Sequence, residues 1–182
     1  MMTTPELVPI LTKEEIQQKI IDIAGIISRD YAGKELLLIG ILKGAFIFLS
    51  DLARQLSIPA QIDFVRASSY GDTMSSSGTV ALPHTVQIDV RNKHLLLVED
   101  IVDTGLTLSC IQKYFLSQGP ASIKICSFID KYERREADIR VDYTCHTTHE
   151  GFLVGYGLDY AENYRGLPGI YHLKIQDARQ MS

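Results

Sequence analysis

The sequence is poor in cysteine and lacks both tryptophan and long apolar runs. No apolar run approaches the roughly 20 residues that a membrane-spanning helix requires, so we expect no membrane partner. The N-terminus has no basic stretch followed by an apolar one, which predicts no signal peptide. The three cysteines, Cys110, Cys126 and Cys145, are too far apart for a zinc motif or a disulfide framework. They predict reduced thiols in a cytoplasmic protein.

The charge balance argues against nucleic acids and anionic membranes as partners. The formal net charge is −4, and the lysines and arginines form no run. Nucleic acids and anionic membranes are bound by clustered basic residues, so we expect no nucleic-acid partner. A chain of 182 residues with 46% hydrophobic and 22% charged residues is typical of one globular domain, here residues 1–182.

The most informative stretch lies in the middle of the chain and reads LLLVEDIVDTGLTL, from Leu95 to Leu108. It begins as an unbroken apolar run, which is typical of a strand buried on both faces. The residues TGLT at 104–107 then predict a tight turn that opens a helix. Apolar residues recur along that helix at helical spacing, namely Leu108, Ile111, Phe115 and Leu116.

The turn between this strand and helix predicts a phosphate site. Free N–H groups and the helix dipole attract an anion at the start of a helix. Gly105 permits a close backbone approach or a positive φ, and Thr104 and Thr107 add hydroxyl donors.

Three carboxylates flank this turn, Glu99, Asp100 and Asp103, whereas the lysine of a Walker loop is absent. Carboxylates repel phosphate unless they hold a metal or bind hydroxyl groups. A ligand with a phosphate and a diol, such as a ribose 5-phosphate, therefore suits the stretch. The alternative is a strand end with solvated acids and a threonine N-cap.

The motif VEDIVDTGLT resembles the 5-phosphoribosyl 1-pyrophosphate (PRPP) binding motif of the type I phosphoribosyltransferases. From about residue 36 to residue 173 the chain resembles the hypoxanthine-guanine branch of that family. The resemblance implies one α/β domain, with a largely parallel sheet flanked by helices and a small hood from the terminal parts. It also implies Mg²⁺-dependent transfer of the phosphoribosyl group from PRPP to N9 of hypoxanthine or guanine, giving IMP or GMP and pyrophosphate.

The resemblance assigns roles to the central motif. Glu99 and Asp100 would hold the ribose hydroxyls and, directly or through water, a magnesium ion. Asp103 would be the catalytic residue, exchanging a proton with N7 of the base. The 5-phosphate would lie against Thr104, Gly105, Leu106 and Thr107. Leu106 departs from relatives that often carry Lys or Asn, and we expect at most weaker phosphate binding because the turn contacts phosphate mainly through its backbone.

An earlier strand–loop–helix unit predicts a second part of the site. Residues 36–41 form an apolar run typical of a buried strand, and residues 46–55 predict a helix. Lys43-Gly44 lies between them, where open α/β sheets bind ligands. The resemblance implies that this loop holds the pyrophosphate through its backbone and that a cis peptide precedes Lys43. From the residues alone, a turn with a solvated lysine is an equal alternative.

The remaining elements follow from capping and apolar patterns. Thr12 and Glu15 predict a capping box that opens an amphipathic helix to about residue 30. Further strands are predicted at residues 60–67, 80–90, 122–129 and 170–175.

A loop rich in serine and glycine, residues 68–78, predicts mobility. Within it, Ser69 and Tyr70 match the Ser-Tyr pair of a family loop that closes over the active site. Such a lid would keep water from the activated ribosyl centre.

Lys131 follows the predicted strand 122–129, and the resemblance implies that it donates to the 6-oxo group of the purine. A solvated lysine is the alternative. The segment TTHEG at 147–151 departs from the family pattern, in which relatives usually have Pro-Asp and a larger residue, and it would form one wall of the base pocket. There His149 could face the pocket or the solvent.

The pattern FLVGYGLDY, residues 152–160, resembles the purine-recognition segment of this branch. Phe152 would stack on the base, and the backbone of Leu153 would read its edge. Asp159 would ligate a second magnesium ion, and Arg165 would contact pyrophosphate.

A rival hypothesis keeps the fold but changes the function. Some proteins with a PRPP site regulate nucleotide synthesis by binding RNA or DNA, which requires a basic face or an added DNA-binding domain. The negative charge and the purine-site residues favour the enzyme. The sequence does not decide among hypoxanthine, guanine and xanthine, or between a homodimer and a homotetramer.

Overall fold

The computed structural model describes residues 5–66, 86–149 and 151–174. These residues form two sheets and three helices, which are joined by loops and turns. In chain order the elements are β1 (Glu6–Leu11), α1 (Lys13–Asp30), β2 (Leu36–Leu42), α2 (Phe46–Gln55), β3 (Ala60–Arg66), β4 (His94–Val102), α3 (Leu106–Leu116), β5 (Ser122–Lys131), β6 (Tyr143–Thr148), β7 (Leu153–Val154) and β8 (Ile170–Lys174).

The larger sheet has five parallel strands in the order β3-β2-β4-β5-β6. Its central strands lack polar alternation because helices cover both faces. Successive residues of β2 therefore enter different cores. Leu36 and Leu38 pack with the core of α1 and α2, whereas Leu37 and Ile39 pack with the core of α3. This confirms the predicted α/β fold with a parallel sheet flanked by helices.

Helix α1 begins at the predicted capping box. The Thr12 backbone N–H donates to Glu15 Oε2 at 2.8 Å, and the Glu15 N–H donates to Thr12 Oγ1 at 3.2 Å. Its apolar stripe is buried against the sheet: Ile16, Ile20, Ile23 and Ile27.

Helix α3 covers the opposite face through Leu108, Ile111 and Phe115, which are buried as predicted. Leu116 does not belong to this buried stripe, because the helix ends there and leaves its side chain 57% exposed.

The hood is a three-stranded antiparallel sheet in the order β1-β8-β7. It packs on the α1 and α2 side, because Leu11, Leu153 and Ile170 share a core with those helices. We did not predict β1, whose sequence contains Pro9, a residue that weakens a strand prediction. Its pairing with β8 is irregular between Pro9 and Leu11.

The strand predicted at residues 80–90 is wrong for its described part, since residues 86–90 form no strand. A carboxylate satisfies the backbone there, because Asp63 Oδ2 accepts from the Gln87 and Ile88 N–H groups at 2.8 and 3.1 Å. The other predicted strands and helices are present, with β5 extending two residues further than expected, to Lys131. None of the helices in the described ranges is long and apolar enough to cross a membrane.

Truncating Phe48 tests the core beneath α2. Phe48 is fully buried, and its ring lies edge-on to Phe128 at a centroid distance of 5.3 Å. We expect Phe48→Ala to lower the free energy of unfolding by about 3–5 kcal/mol through lost burial and a cavity. Phe46→Ala is the control, since Phe46 is 46% exposed and should cost about 0.5 kcal/mol. Equal losses in urea denaturation would contradict this packing.

Candidate active site

Two adjacent carboxylates, Glu99 and Asp100, form the centre of the site. They lie within β4, so the strand continues through the acids that we expected to follow it. Asp100 covers the loop after β2 so closely that any side chain at position 44 would collide with its carboxylate. Gly44 therefore brings the loop backbone directly against the acid pair.

Both carboxyl groups are harder to ionise in the folded protein than in water. Burial raises the pKa of Glu99 well above its ordinary value, and the neighbouring charge of Asp100 raises it further. Burial also raises the pKa of Asp100, although its hydrogen bonds and the nearby Arg165 guanidinium act in the opposite direction. A cation beside the pair would relieve this repulsion.

The donor set fits Mg²⁺, which prefers carboxylate oxygens and leaves positions for waters and substrate phosphates. Across residues 5–66, 86–149 and 151–174, no cluster of three or more His, Cys, Asp or Glu forms a ready-made metal site. Two carboxylates could hold such an ion only together with waters or substrate phosphates.

The Lys43-Gly44 loop lies between the acid pair and the segment after β7. The peptide bond between Leu42 and Lys43 is cis, as the family resemblance implies. Lys43 Nζ lies 3.0 Å from Glu162 Oε2. Gly157 has φ +102°, and any side chain there would collide with the Gly44 carbonyl oxygen. Glycine at both positions allows this close approach of backbones.

The predicted phosphate turn lies between β4 and α3. Gly105 precedes the helix with φ +78°, so the turn uses a conformation that glycine adopts freely. The Thr104 carbonyl accepts from the N–H groups of Glu136 and Ala137, both at 3.0 Å. The turn is therefore anchored from a segment at residues 132–139, and its first-turn amides lack the intrahelical partners of later residues.

Leu106 and Thr107 are both exposed at the start of α3. The Leu106 side chain is 49% exposed and directed away from the core, so it contributes little packing. Its N–H lies 3.4 Å from Thr104 Oγ1. The backbone geometry that the turn requires is thus present without the lysine or asparagine of relatives.

Asp103 and Lys131 leave neighbouring strands side by side, because the β4–β5 register pairs Val102 with Asp130 immediately before them. Asp103 Oδ1 is buried and has no hydrogen-bond partner in the described part of the chain. Its Oδ2 lies 3.5 Å from Arg134. Lys131 is only 8% exposed, and its Nζ lies 3.2 Å from Glu133 Oε2. A hydrogen-bond acceptor and a donor therefore lie at the same edge of the sheet.

The segment predicted to recognise the purine begins with an accessible aromatic ring. Phe152 is 49% exposed and contacts Tyr160 edge-on, with ring centroids 5.5 Å apart. This arrangement leaves ring surface free for stacking. Leu153 is buried in β7, where it pairs with His172 of β8.

Arg165 makes several polar contacts within the segment after β7. Its Nη2 lies 2.8 Å from Asp159 Oδ1, and its Nη1 donates to the Gly157 carbonyl at 2.8 Å. Asp159 Oδ2 in turn accepts from the Glu162 N–H at 2.8 Å. Asp159 is therefore already engaged by a guanidinium, so a magnesium ion would have to share it or displace the arginine. Glu162, which contacts both Lys43 and Arg165, was not predicted.

The departure at residues 147–151 falls at the end of β6, which stops at Thr148. His149 is exposed, and its ring centroid lies 6.5 Å from that of Tyr132. Ser69 and Tyr70, predicted to belong to a lid, lie outside the described residues.

The comparisons with known proteins agree with this geometry. A family model described as a phosphoribosyl transferase domain matches residues 9–161. The chain belongs to the phosphoribosyltransferase family. The hypoxanthine-guanine phosphoribosyltransferase of Streptococcus pneumoniae is 41% identical over 165 residues, which cover 91% of this chain and 92% of that protein.

One further relative and one solved structure are also similar to this phosphoribosyltransferase. The hypoxanthine phosphoribosyltransferase of Salmonella typhimurium is 38% identical over 169 residues, covering 92% of this chain and 95% of that one. A crystal structure of a hypoxanthine-guanine phosphoribosyltransferase from Bacillus anthracis has a TM-score of 0.86 at 36% identity, covering 93% of this chain and 99% of that chain.

Neutralising Glu99 tests the charge repulsion in the acid pair. A carboxyl whose folded-state pKa is raised stabilises the fold only at low pH and loses that contribution as pH rises through the raised value. In divalent-free buffer at pH 8, Glu99→Gln should therefore unfold at a higher temperature than wild type. The gain should be about 2–4 °C for each kcal/mol of repulsion relieved.

The pH dependence provides the check on this prediction. The gain should shrink as pH falls through the raised value and should vanish below the ordinary glutamate value of 4.5, where the carboxyl is protonated in both the folded and the unfolded wild type. Glu14→Gln, on the exposed first turn of α1, is the control and should not raise the melting temperature. A Glu99→Gln protein that is less stable than wild type at pH 8 would contradict the assignment.

Proposed function

We propose that this phosphoribosyltransferase transfers the 5-phosphoribosyl group of PRPP to N9 of hypoxanthine or guanine, giving IMP or GMP and pyrophosphate. The observation that carries the proposal is that Asp103 and Lys131 come directly after the last residues paired between β4 and β5, beside the predicted phosphate turn. O6 and N7 lie on one edge of a 6-oxopurine. An ammonium group can donate to O6 while a carboxylate oxygen faces N7.

PRPP would lie across the ends of β2 and β4. The turn at residues 104–107 would bind its 5-phosphate through first-turn amides and threonine hydroxyls. Glu99 and Asp100 would accept hydrogen bonds from the ribose hydroxyls. The Lys43-Gly44 backbone and the Arg165 guanidinium would face the pyrophosphate.

Mg²⁺ is the cofactor that this arrangement suits, and it would neutralise charge on the pyrophosphate as the C1–oxygen bond breaks. Glu99 and Asp100 would hold it directly or through water. Asp159 would ligate a second ion in exchange for part of its contact with Arg165.

The reaction would pass through an oxocarbenium-like state in which the bond to pyrophosphate is largely broken. Charge on the leaving group is then the main barrier, and Arg165 and the loop amides would stabilise it electrostatically. Asp103 would hold or exchange the N7 proton while N9 attacks C1. Ser69 and Tyr70 would cover the site and exclude water during this step.

An initial-rate assay tests the proposal. Purified protein with PRPP, Mg²⁺ and hypoxanthine or guanine should form IMP or GMP, and excess EDTA should abolish the rate. Xanthine assayed in parallel gives the base preference. The proposal fails if neither base is converted, or if full activity persists in EDTA.

The first mutational prediction concerns Asp103. Asp103→Asn removes the proton acceptor near N7, so kcat should fall by about 10²–10⁴, with little change in PRPP affinity. Asp138→Asn, at an exposed position of the 132–139 segment, is the control and should retain wild-type turnover. Near wild-type turnover of Asp103→Asn at every pH would rule out the proton-transfer role.

The second concerns Lys131 and base selectivity. Adenine presents an amino donor at position 6, so an ammonium facing it loses an acceptor and opposes two donors. A site built around such a hydrogen bond can reject the wrong analogue by about 10⁴–10⁵. Adenine should therefore be a very poor substrate. Lys131→Met should lower turnover of hypoxanthine while costing adenine little.

Comparing kcat/KM for the two bases in both proteins measures this selectivity, with Lys113→Met on the exposed face of α3 as the control. Wild-type use of adenine within about tenfold of hypoxanthine, a span of about 1.4 kcal/mol, would remove Lys131 as the 6-oxo reader.

A cytoplasmic location and a homodimeric or homotetrameric assembly complete the proposal. The free thiols of Cys110, Cys126 and Cys145 suit a reducing compartment. The edge strand β3 exposes two apolar side chains on one face, Ile62 at 43% and Phe64 at 39%, which suits contact with a second copy. Sedimentation of the purified protein measures the assembly.

A further inference from the structure

A single guanidinium joins the ends of β4 and β5. Arg135 Nε donates to the Asp103 carbonyl at 2.9 Å. Its Nη2 donates to the carbonyls of Val102 and Lys131, both at 3.1 Å. The same Nη2 forms an ion pair with Asp130. Arg135 thus contacts the backbones of both Asp103 and Lys131 without touching either side chain.

Arg135 contacts the two strands at the point where the backbone hydrogen bonds between β4 and β5 end. The β4–β5 pairing ends with Val102 opposite Asp130, so it does not connect the next residues of the two strands, Asp103 and Lys131. Lys131 still pairs with Thr148 of β6, but beyond Val102 the link between β4 and β5 must come from other partners. Arg135 supplies such a link, because it donates to the backbones of both residues.

The surroundings of Arg135 favour a fixed position for it. Its side chain is 16% exposed, and Asp130 is 3% exposed. Asp130 also accepts a hydrogen bond from the Tyr132 hydroxyl at 2.7 Å, which orients the carboxylate. The adjacent Arg134, in contrast, is 65% exposed and reaches only Asp103 Oδ2 at 3.5 Å.

We propose that Arg135 is a positioning residue that sets the spacing between the Asp103 carboxylate and the Lys131 ammonium. The inference rests on the proposed function, in which these two groups contact N7 and O6 of one purine edge. Two atoms fixed to one ring leave little tolerance in the spacing of their partners. A planar guanidinium can hold several carbonyls in a defined arrangement, which a lysine ammonium on a flexible chain does not.

The same segment also holds the phosphate turn. The Glu136 and Ala137 amides donate to the Thr104 carbonyl, and Ile139 packs against Gly105. The segment at residues 132–139 therefore links the base-reading groups to the turn that would bind the 5-phosphate. A purely structural role for Arg135 would stabilise all of these parts equally, whereas a positioning role affects base recognition most.

A double-mutant cycle separates the two roles. Arg135→Lys keeps the charge but loses the planar fork, and kcat/KM for hypoxanthine should fall by about 10–100-fold, as expected for a small misplacement of reacting groups. The KM for PRPP should change by less than about threefold. In a Lys131→Met background the same substitution should cost less than about threefold, because the spacing it sets no longer matters.

Arg140→Lys is the matched control, since Arg140 is exposed and has no hydrogen bond or ion pair within the described ranges. It should leave kcat/KM unchanged in both backgrounds. If Arg135→Lys melts below the assay temperature, Tyr132→Phe removes only the hydrogen bond that orients Asp130. That variant should show the same coupling with a loss of about threefold to tenfold.

The outcomes are distinct. An equal loss from Arg135→Lys in both backgrounds, or no loss in an active wild type, overturns the positioning role. Absence of activity with hypoxanthine in wild type overturns the proposed function instead. Dependence of the loss on Lys131, with PRPP binding retained, supports the inference.

Discussion

The site depends on the placement of two adjacent carboxylates, Glu99 and Asp100, at the buried end of a central strand. Burial raises the pKa of both, and the charge of Asp100 raises that of Glu99 further, so the protein carries an electrostatic cost that a bound cation would relieve. This cost also shapes the backbone nearby. Gly44 has no side chain because Asp100 occupies that space, and Gly157 has none because the Gly44 carbonyl lies against it. The acid pair, the Lys43-Gly44 loop and the segment after β7 therefore form one packed unit, and Arg165 lies near the acid pair and donates to the Gly157 carbonyl.

The parallel sheet explains why groups distant in sequence meet at this unit. Strands β2, β4 and β5 run in the same direction, so their carboxyl ends open at one edge. The register then decides which side chains become neighbours, and pairing Val102 with Asp130 puts Asp103 beside Lys131. The predicted phosphate turn follows β4 directly, so β4 connects the position proposed to bind phosphate with the position of Asp103, which is proposed to face the base.

Much of this arrangement could be predicted from the sequence, because several elements carry clear local patterns. The apolar runs of β2, β4 and β5 are typical of strands that are buried on both faces. The capping box of α1 is recognisable because its residues are close together in the sequence. The proline-containing β1 and the polar β6 lack such signals, since β1 is held by the distant strand β8 and β6 has little apolar pattern of its own. We assigned no role to the charged segment after β5, yet Arg135 is largely buried within it. No local pattern distinguishes an arginine that caps two strand ends from one that faces water.

A crystal structure of the protein with IMP and Mg²⁺ tests the central claim most directly, because it locates the base, the ribose and the phosphate at once. The account predicts the phosphate on the turn at residues 104–107 and the ribose hydroxyls at Glu99 and Asp100. It predicts O6 within hydrogen-bond distance of Lys131 Nζ, N7 beside Asp103, and the base stacked on Phe152. A nucleotide bound with its base away from Lys131 and Asp103, or with its phosphate away from the turn, would contradict it.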